Sequence, residues 1–278
     1  MTTKLILLGT ASPRVEPNKV QTSFLLLVDD RMYMIDCGSG AYERLVQALA
    51  KYGDGLQEIH MQHLFLTHLH PDHTLNIPSI LIAPWQLGRE TAVNIWGPAG
   101  TQELVNHILE GFKIGCDELR LHGPRDREMI KAPVNPITEG VFFEDDRLKL
   151  EAFKVKHGNL EAYAFRATTA DKVIFFSGDT CPVDVFEKEA QGADILVFEA
   201  YCAAGMPNVP ERWQWYFPTV HTSGIEVGEI ASKVNPGLVI LNHQMCFGGT
   251  TDADLIQEVR DGGYHGELVS GQDLQIFE

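Results

Sequence analysis

Basic residues are scarce in this chain. Its 278 residues carry 22 Lys and Arg against 38 Asp and Glu, a formal net charge of −16 with histidine neutral. Such an excess repels polyanions at long range. No run of Lys or Arg interrupts it, so the sequence offers no evident surface for nucleic acid. The five cysteines, Cys37, Cys116, Cys181, Cys202 and Cys246, are odd in number and form no CxxC pair. That excludes a disulfide framework and a cysteine-rich zinc site, and it suits reduced thiols in a cytoplasmic protein. No window is long and apolar enough to span a membrane. The early run "KLILLG" is too short for a signal segment and ends at a turn, so it reads as a first strand. No stretch rich in Pro, Gly and Ser divides the chain, and no short repeat is visible. A single domain over 1–278 is therefore expected.

Hydrophobic residues make up 44% of the chain, enough for a sizeable core. Strand-like runs recur: "KLILLG", "SFLLLVD", "RMYMIDCG", "HLFLTH", "AVNIWG", "RLKLEAFKV", "AYAFRAT", "KVIFFSGD", "DILVFEA", "LVILNH" and "GELVSG". Several are continuously apolar, the pattern of strands buried on both faces. The second and third read as a hairpin turning at Asp29 and Asp30. Helical patterns lie between: "GAYERLVQALAKYG", "GTQELVNHILEGF", "PVDVFEKEAQG", "SGIEVGEIASKV" and "DADLIQEVRDGG". The class is α/β. The least regular part, within 111–140, reads as a surface excursion or a lid.

Polar residues follow the strands in "LFLTHLHPDH", "FKVKHG", "IFFSGDT", "LVFEA" and "VILNH". In α/β folds ligands gather at the carboxyl ends of strands. The densest group is His68, His70, Asp72 and His73 in "THLHPDH". Pro71 disfavours helix at His70, so the segment reads as strand to loop, unlike a helical HExxH site. In an extended chain His68 and His70 point the same way. Asp72 and His73, beyond the bend, face a second point. That pattern suits two adjacent metal ions better than one, and better than a merely polar loop.

"THLHPDH" resembles the signature of the metallo-β-lactamase superfamily of metal-dependent hydrolases. The resemblance extends from "LGTASP" to "LVSGQD". It implies a four-layer αββα sandwich with the metals at one edge. It also implies that His68, His70, His157 and Asp179 hold one ion, and Asp72, His73, Asp179 and His243 the other. Asp179 would bridge them. Imidazole and carboxylate donors suit two divalent ions, Zn²⁺ first, with Mn²⁺ or Fe²⁺ as alternatives. Such a pair would hold a bridging hydroxide as nucleophile.

"VFEAYC" with Glu199, "TVHTSG" with His221 and "WGPAGTQEL" resemble the tRNase Z branch, where the Glu orients a His that handles the leaving group. The expected catalytic set is therefore Asp72, Glu199 and His221. Three departures point away from that branch's substrate. Only Gly158 to Gly178 separates the third histidine from Asp179, with no room for a tRNA-gripping arm. Phe198 stands where many tRNase Z sequences have a His, and the net charge is strongly negative. The expectation is therefore a dinuclear hydrolase of a small ester, phosphodiester or similar substrate. It would be like the arylsulfatase-like, phosphodiesterase-like and dehalogenating members, with a small molecule expected as partner in preference to nucleic acid. Trp213, Trp215, Tyr216 and Phe217 are read as an aromatic substrate wall, with Trp85 and Cys116 as weaker candidates. Cys181 and Cys246 are read as buried inert thiols. Related proteins commonly pair, so a homodimer is expected. The alternatives are a tRNA 3′-end endonuclease, a redox enzyme of this fold, and a non-catalytic binding protein.

Overall fold

The computed structural model describes residues 2–14, 16–123 and 130–278. The chain folds as two compact units. The first comprises Thr2–Gly9, Pro17–Ile137 and Asp273–Glu278, and the second Thr10–Glu16 and Thr138–Gln272.

The first unit is built on β1 (Thr3–Gly9), β2 (Ser23–Val28), β3 (Arg31–Ile35), β4 (His63–Phe65), β5 (Asn94–Gly97) and β6 (Val134–Pro136). The second is built on β7 (Gly140–Glu144), β8 (Lys149–His157), β9 (Leu160–Thr168), β10 (Val173–Phe176), β11 (Ile195–Tyr201), β12 (Leu238–Met245) and β13 (Glu267–Ser270). A last strand, β14 (Ile276–Phe277), returns to the first unit. The sheet orders are β14-β1-β2-β3-β4-β5-β6 and β13-β12-β11-β10-β9-β8-β7.

Each sheet is antiparallel on one side and parallel on the other. In the first, β14, β1, β2 and β3 pair antiparallel, then β3 to β6 run parallel. In the second, β10 to β13 run parallel while β7 to β10 pair antiparallel. The hairpin of β2 and β3 turns at Asp29, which takes φ 52°, a left-handed conformation that aspartate tolerates.

Helices cover these sheets. In the first unit they are α1 (Ala41–Tyr52), α2 (Pro71–Thr74), α3 (Ile77–Gln86), α4 (Thr101–Gly111) and α5 (Lys113–His122). In the second they are α6 (Val185–Glu189), α7 (Glu211–Val220), α8 (Gly224–Val234) and α9 (Asp252–Asp261). The first core joins Ile6, Leu8 and Leu25 from strands to Leu45, Leu49 and Ile80 from helices. The second joins Leu196, Phe198 and Leu241 to Phe186, Val227 and Leu255. No helix among the described residues is long and apolar enough to cross a membrane.

The structure corrects several expectations. Pro71 begins α2 instead of a loop, because proline fits the first helical position, where its missing N–H has no partner to lose. "IPSILIAPWQ" is helical too, since an apolar run reads alike as buried strand or helix. The irregular 111–140 stretch contains α5 and β6, and its residues 124–129 lie outside those described. The aromatic segment before His221 is α7, a helix. Strands β7 and β14 are not among the expected strands; β7 is partly exposed and β14 is only two residues long.

Candidate metal centre

The chemistry-bearing residues of the first unit lie just past β3 and β4. Asp36 follows β3 with φ 55°, and its carboxylate anchors the group. Asp36 Oδ1 accepts from the Thr67 backbone N–H at 2.8 Å, and Oδ2 accepts from the Thr67 hydroxyl at 2.8 Å. The same Oδ2 lies 2.8 Å from His73 Nδ1. Because the Thr67 proton goes to the carboxylate, the Thr67 oxygen accepts from His68 Nδ1, 3.0 Å away. One aspartate thus sets two tautomers, turning Nε2 of His68 and of His73 outward as lone-pair donors. His68 Nε2 faces His70 Nδ1 at 3.2 Å, and His73 Nε2 lies 3.7 Å from Asp72 Oδ2. All are buried except His70, which is half-buried. Gly38 permits this packing, since a Cβ there would stand 2.2 Å from the Asp72 carbonyl oxygen.

The residues of the second unit lie at the ends of β8, β10, β11 and β12. His157 closes β8, and its Nδ1 donates to the Val220 carbonyl at 2.7 Å, so Nε2 carries the lone pair. Gly178, with φ 59°, turns the chain after β10 and aims Asp179. Asp179 Oδ2 is 3.2 Å from His243 Nε2 and 4.0 Å from His157 Nε2. A bulge opposite Glu199 and Ala200 sets His243 in β12 at φ 48°. A non-glycine residue in that region costs of order 1–3 kcal/mol, and such strain concentrates at functional sites.

Glu199 ties this group to His221. Its Oε1 accepts from Thr180 N at 3.0 Å and Thr222 N at 3.3 Å, and lies 3.0 Å from His221 Nδ1. His221 sits in the short link between α7 and α8. A capping box of Ser223 and Glu226 starts α8 and holds that link. Burial pushes the Glu199 carboxyl well above the usual range, and the Asp179 charge adds to this. His243 and the two backbone donors oppose it. Burial lowers His157, against the pull of Asp179, which keeps its ring neutral and ready to ligate.

These donors fit divalent metal ions. In the second unit, ligand atoms of His157, Asp179 and His221 lie within 4.8 Å of one another, as do those of Glu199, His221 and His243. Buried imidazoles whose second nitrogen is anchored by a carboxylate, hydroxyl or carbonyl are the usual pattern around a metal.

The expected site residues therefore fall into two sets. His68, His70, Asp72 and His73 gather in the first unit, and His157, Asp179, Glu199, His221 and His243 in the second. Sequence reading missed Asp36 and Thr67. The run "IDCG" ends a strand in Asp, but nothing local says that its carboxylate meets residues some thirty positions on. Of the aromatic wall, Trp213, Tyr216 and Phe217 line one cavity with His221. Trp215 does not line it and is 65% exposed, because on a helix the positions i, i+3 and i+4 share a face and i+2 does not. Trp85 and Cys116 pack with Ile130 in a small separate cluster of the first unit. Cys181 is buried, which pushes its thiol up, whereas Cys246 is only half-buried.

Residues 31–244 match the family described as Beta-lactamase superfamily domain. A protein named Ribonuclease Z from Mycobacterium sp. (strain KMS) is 27% identical over 245 residues, 87% of this chain and 84% of that protein. The metallo-beta-lactamase fold protein YhfI from Bacillus subtilis superposes with a TM-score of 0.75 at 18% identity, covering 100% of both chains. The short form of human tRNase Z gives 0.70 at 18% identity, covering 99% of this chain and 98% of that one.

The ribonuclease relatives overturn the expectation of a small-molecule partner in preference to nucleic acid. Two of the arguments behind it have physical flaws. Net charge sums over the whole surface, whereas phosphate contacts are local. Lys113, Arg120 and Lys131 in fact meet around one cavity of about 580 Å³ in the first unit, with Glu110 beside them and Asp117 paired to two of them. Phe198 points into the helix-covered core on the opposite face of β11 from Glu199, so it does not touch the site. The short interval before Asp179 is as expected, with β9, a turn and β10 filling it.

Proposed function

The chain belongs to the beta-lactamase superfamily and is a metal-dependent hydrolase, and from that premise we propose that it is a ribonuclease Z, cutting the 3′ ends of transfer-RNA precursors. Its ligands would be His68, His70, Asp72 and His73 from the first unit and His157, Asp179 and His243 from the second. They would hold two divalent ions, Zn²⁺ by the chemistry of the donors. The assignment across the two units rests on family resemblance and donor chemistry.

The observation that carries the reading is the 3.0 Å pairing of His221 Nδ1 with Glu199 Oε1 beside Asp179 and His243. Bound metal ions would supply a nucleophile at neutral pH and counter-charge for the phosphate oxygens. The rest falls to the chain. His221, with Nδ1 held, presents Nε2 to the leaving oxygen and delivers a proton there. Glu199 fixes the ring and stabilises its cationic form, so the leaving oxygen departs protonated. The backbone N–H groups of Thr180 and Thr222 hold Glu199 in place.

The test is incubation of the metal-loaded protein with a precursor tRNA bearing a 3′ trailer, with and without chelator. Metal-dependent release of the trailer at one position is expected. An intact precursor alongside turnover of simple chromogenic phosphodiesters would overturn the RNA assignment.

A further inference from the structure

His221 belongs to two neighbourhoods. On one side its ring stacks on His243, with centroids 5.6 Å apart, and meets His157 edge-on at 5.1 Å. On the other it borders a cavity of about 480 Å³ within the second unit, walled by Trp213, Tyr216, Phe217 and Phe247 and closed by Pro13 and Val209. That volume lies in the range of small-ligand pockets, roughly 300–1,000 Å³. It has room for a nucleoside and not for a folded stem.

The walls are held by ring-to-ring packing. Phe217 is the hub, with ring centroids 4.8 Å from Phe247, 5.6 Å from His221 and 5.9 Å from Trp213. Trp213, Tyr216 and Phe217 occupy one face of α7 at i, i+3 and i+4. These faces are not sealed in a core, for Trp213 is 40% exposed and Tyr216, Phe217 and Phe247 are half-buried. Apolar surface left open beside a reactive group marks a binding site. Among the described residues the lining contains no Lys, Arg, Asp or Glu, and the Arg212 guanidinium lies 5.6 Å from the Trp213 ring centroid. Apart from His221 at its edge, the wall offers rings on which a neutral planar group can stack.

We propose that this cavity takes the base of the nucleotide whose oxygen leaves, stacked on Trp213 and Phe217. This rests on the reading of the protein as a ribonuclease. The link is His221: the group that protonates the leaving oxygen is itself part of the cavity wall, so the nucleoside carrying that oxygen enters the cavity as the phosphate reaches the site. Stacking tolerates any base, because every base has a π face. The cavity therefore places the cut without reading sequence.

Two measurements test this. The first is a cycle of kcat/KM values for the native protein and Trp213→Ala, on intact precursor and on precursor abasic at either nucleotide flanking the cut. The fragment lacking the new phosphate identifies the leaving side. Each single change, protein or leaving-side base, is expected to lower kcat/KM by roughly tenfold or more, and both together by no more than either alone. The base on the other side should not couple to Trp213, and Trp213→Phe should restore most of the loss. Additive losses, or none, would overturn the proposal. The second needs no cleavage. Adenosine and uridine are expected to quench tryptophan fluorescence saturably in the native protein and in Trp215→Phe, but not in Trp213→Phe. Quenching without cleavage would keep the cavity and discard the ribonuclease reading. Cleavage without coupling or quenching would do the reverse, and neither signal would overturn both.

Discussion

Asp36 Oδ2 lies 2.8 Å from Nδ1 of His73 and, through the Thr67 hydroxyl, also governs His68. One carboxylate outside the histidine motif thus orients two of its rings. Asp36→Asn keeps the shape and removes the charge and one acceptor. Metal affinity is expected to fall roughly 10- to 100-fold, the usual effect of losing a group that orients a ligand. Competitive metal titration checks it; unchanged affinity would show that Thr67 and packing suffice to hold the rings.

Asp179 Oδ2 is approached by Nε2 of both His243 and His157. Asp179→Asn should therefore reduce the bound metal and abolish hydrolysis, with the fold retained. Metal analysis alongside circular dichroism separates this from unfolding. A variant with full metal content and full activity would remove Asp179 from the centre.

His221→Ala should slow turnover by about 10²–10⁴-fold, the range for a general acid or base, with metal content unchanged. Glu199→Gln should cost less, since His221 remains. Because a His221 nitrogen lies within 4.8 Å of ligand atoms on His157 and Asp179, metal analysis is the decisive readout. Loss of metal in His221→Ala would make this residue a ligand and not a proton donor.

Phe198 is fully buried and meets Phe186 edge-on, with centroids 4.8 Å apart. Phe198→Ala should destabilise the protein by about 3–5 kcal/mol through the cavity it leaves, measured by denaturant unfolding. Metal affinity should stay within about twofold, because the side chain lies on the face of β11 away from Glu199. A variant that folds normally but loses metal would contradict that separation.

Most strands and helices were legible because their pattern is local. Apolar runs such as "KLILLG" and "LVILNH", and helical patterns such as "GAYERLVQALAKYG", formed the elements they suggested. The failures are equally local. "IPSILIAPWQ" is apolar without a helical stripe, and Pro71 argued for a loop where α2 stands. In the site, the histidines announced themselves by their spacing, whereas Asp36 did not, because one aspartate after a strand looks like a turn residue until its partners are seen.

The sequence by itself determined the donor chemistry. "THLHPDH", His157, Asp179 and His243 place imidazoles and carboxylates after buried strands, and that choice of side chains already implies metal-dependent hydrolysis. Tertiary structure decided what each donor does. It brought Asp36 under His68 and His73, joined Glu199 to His221 over 22 positions, and turned three aromatics of α7 toward His221 while leaving Trp215 outside. It also gathered Lys113, Arg120 and Lys131, which no run of sequence displays. The physical reason is that donor type is a property of a single side chain. Tautomer, orientation and local charge depend on neighbours that only folding supplies.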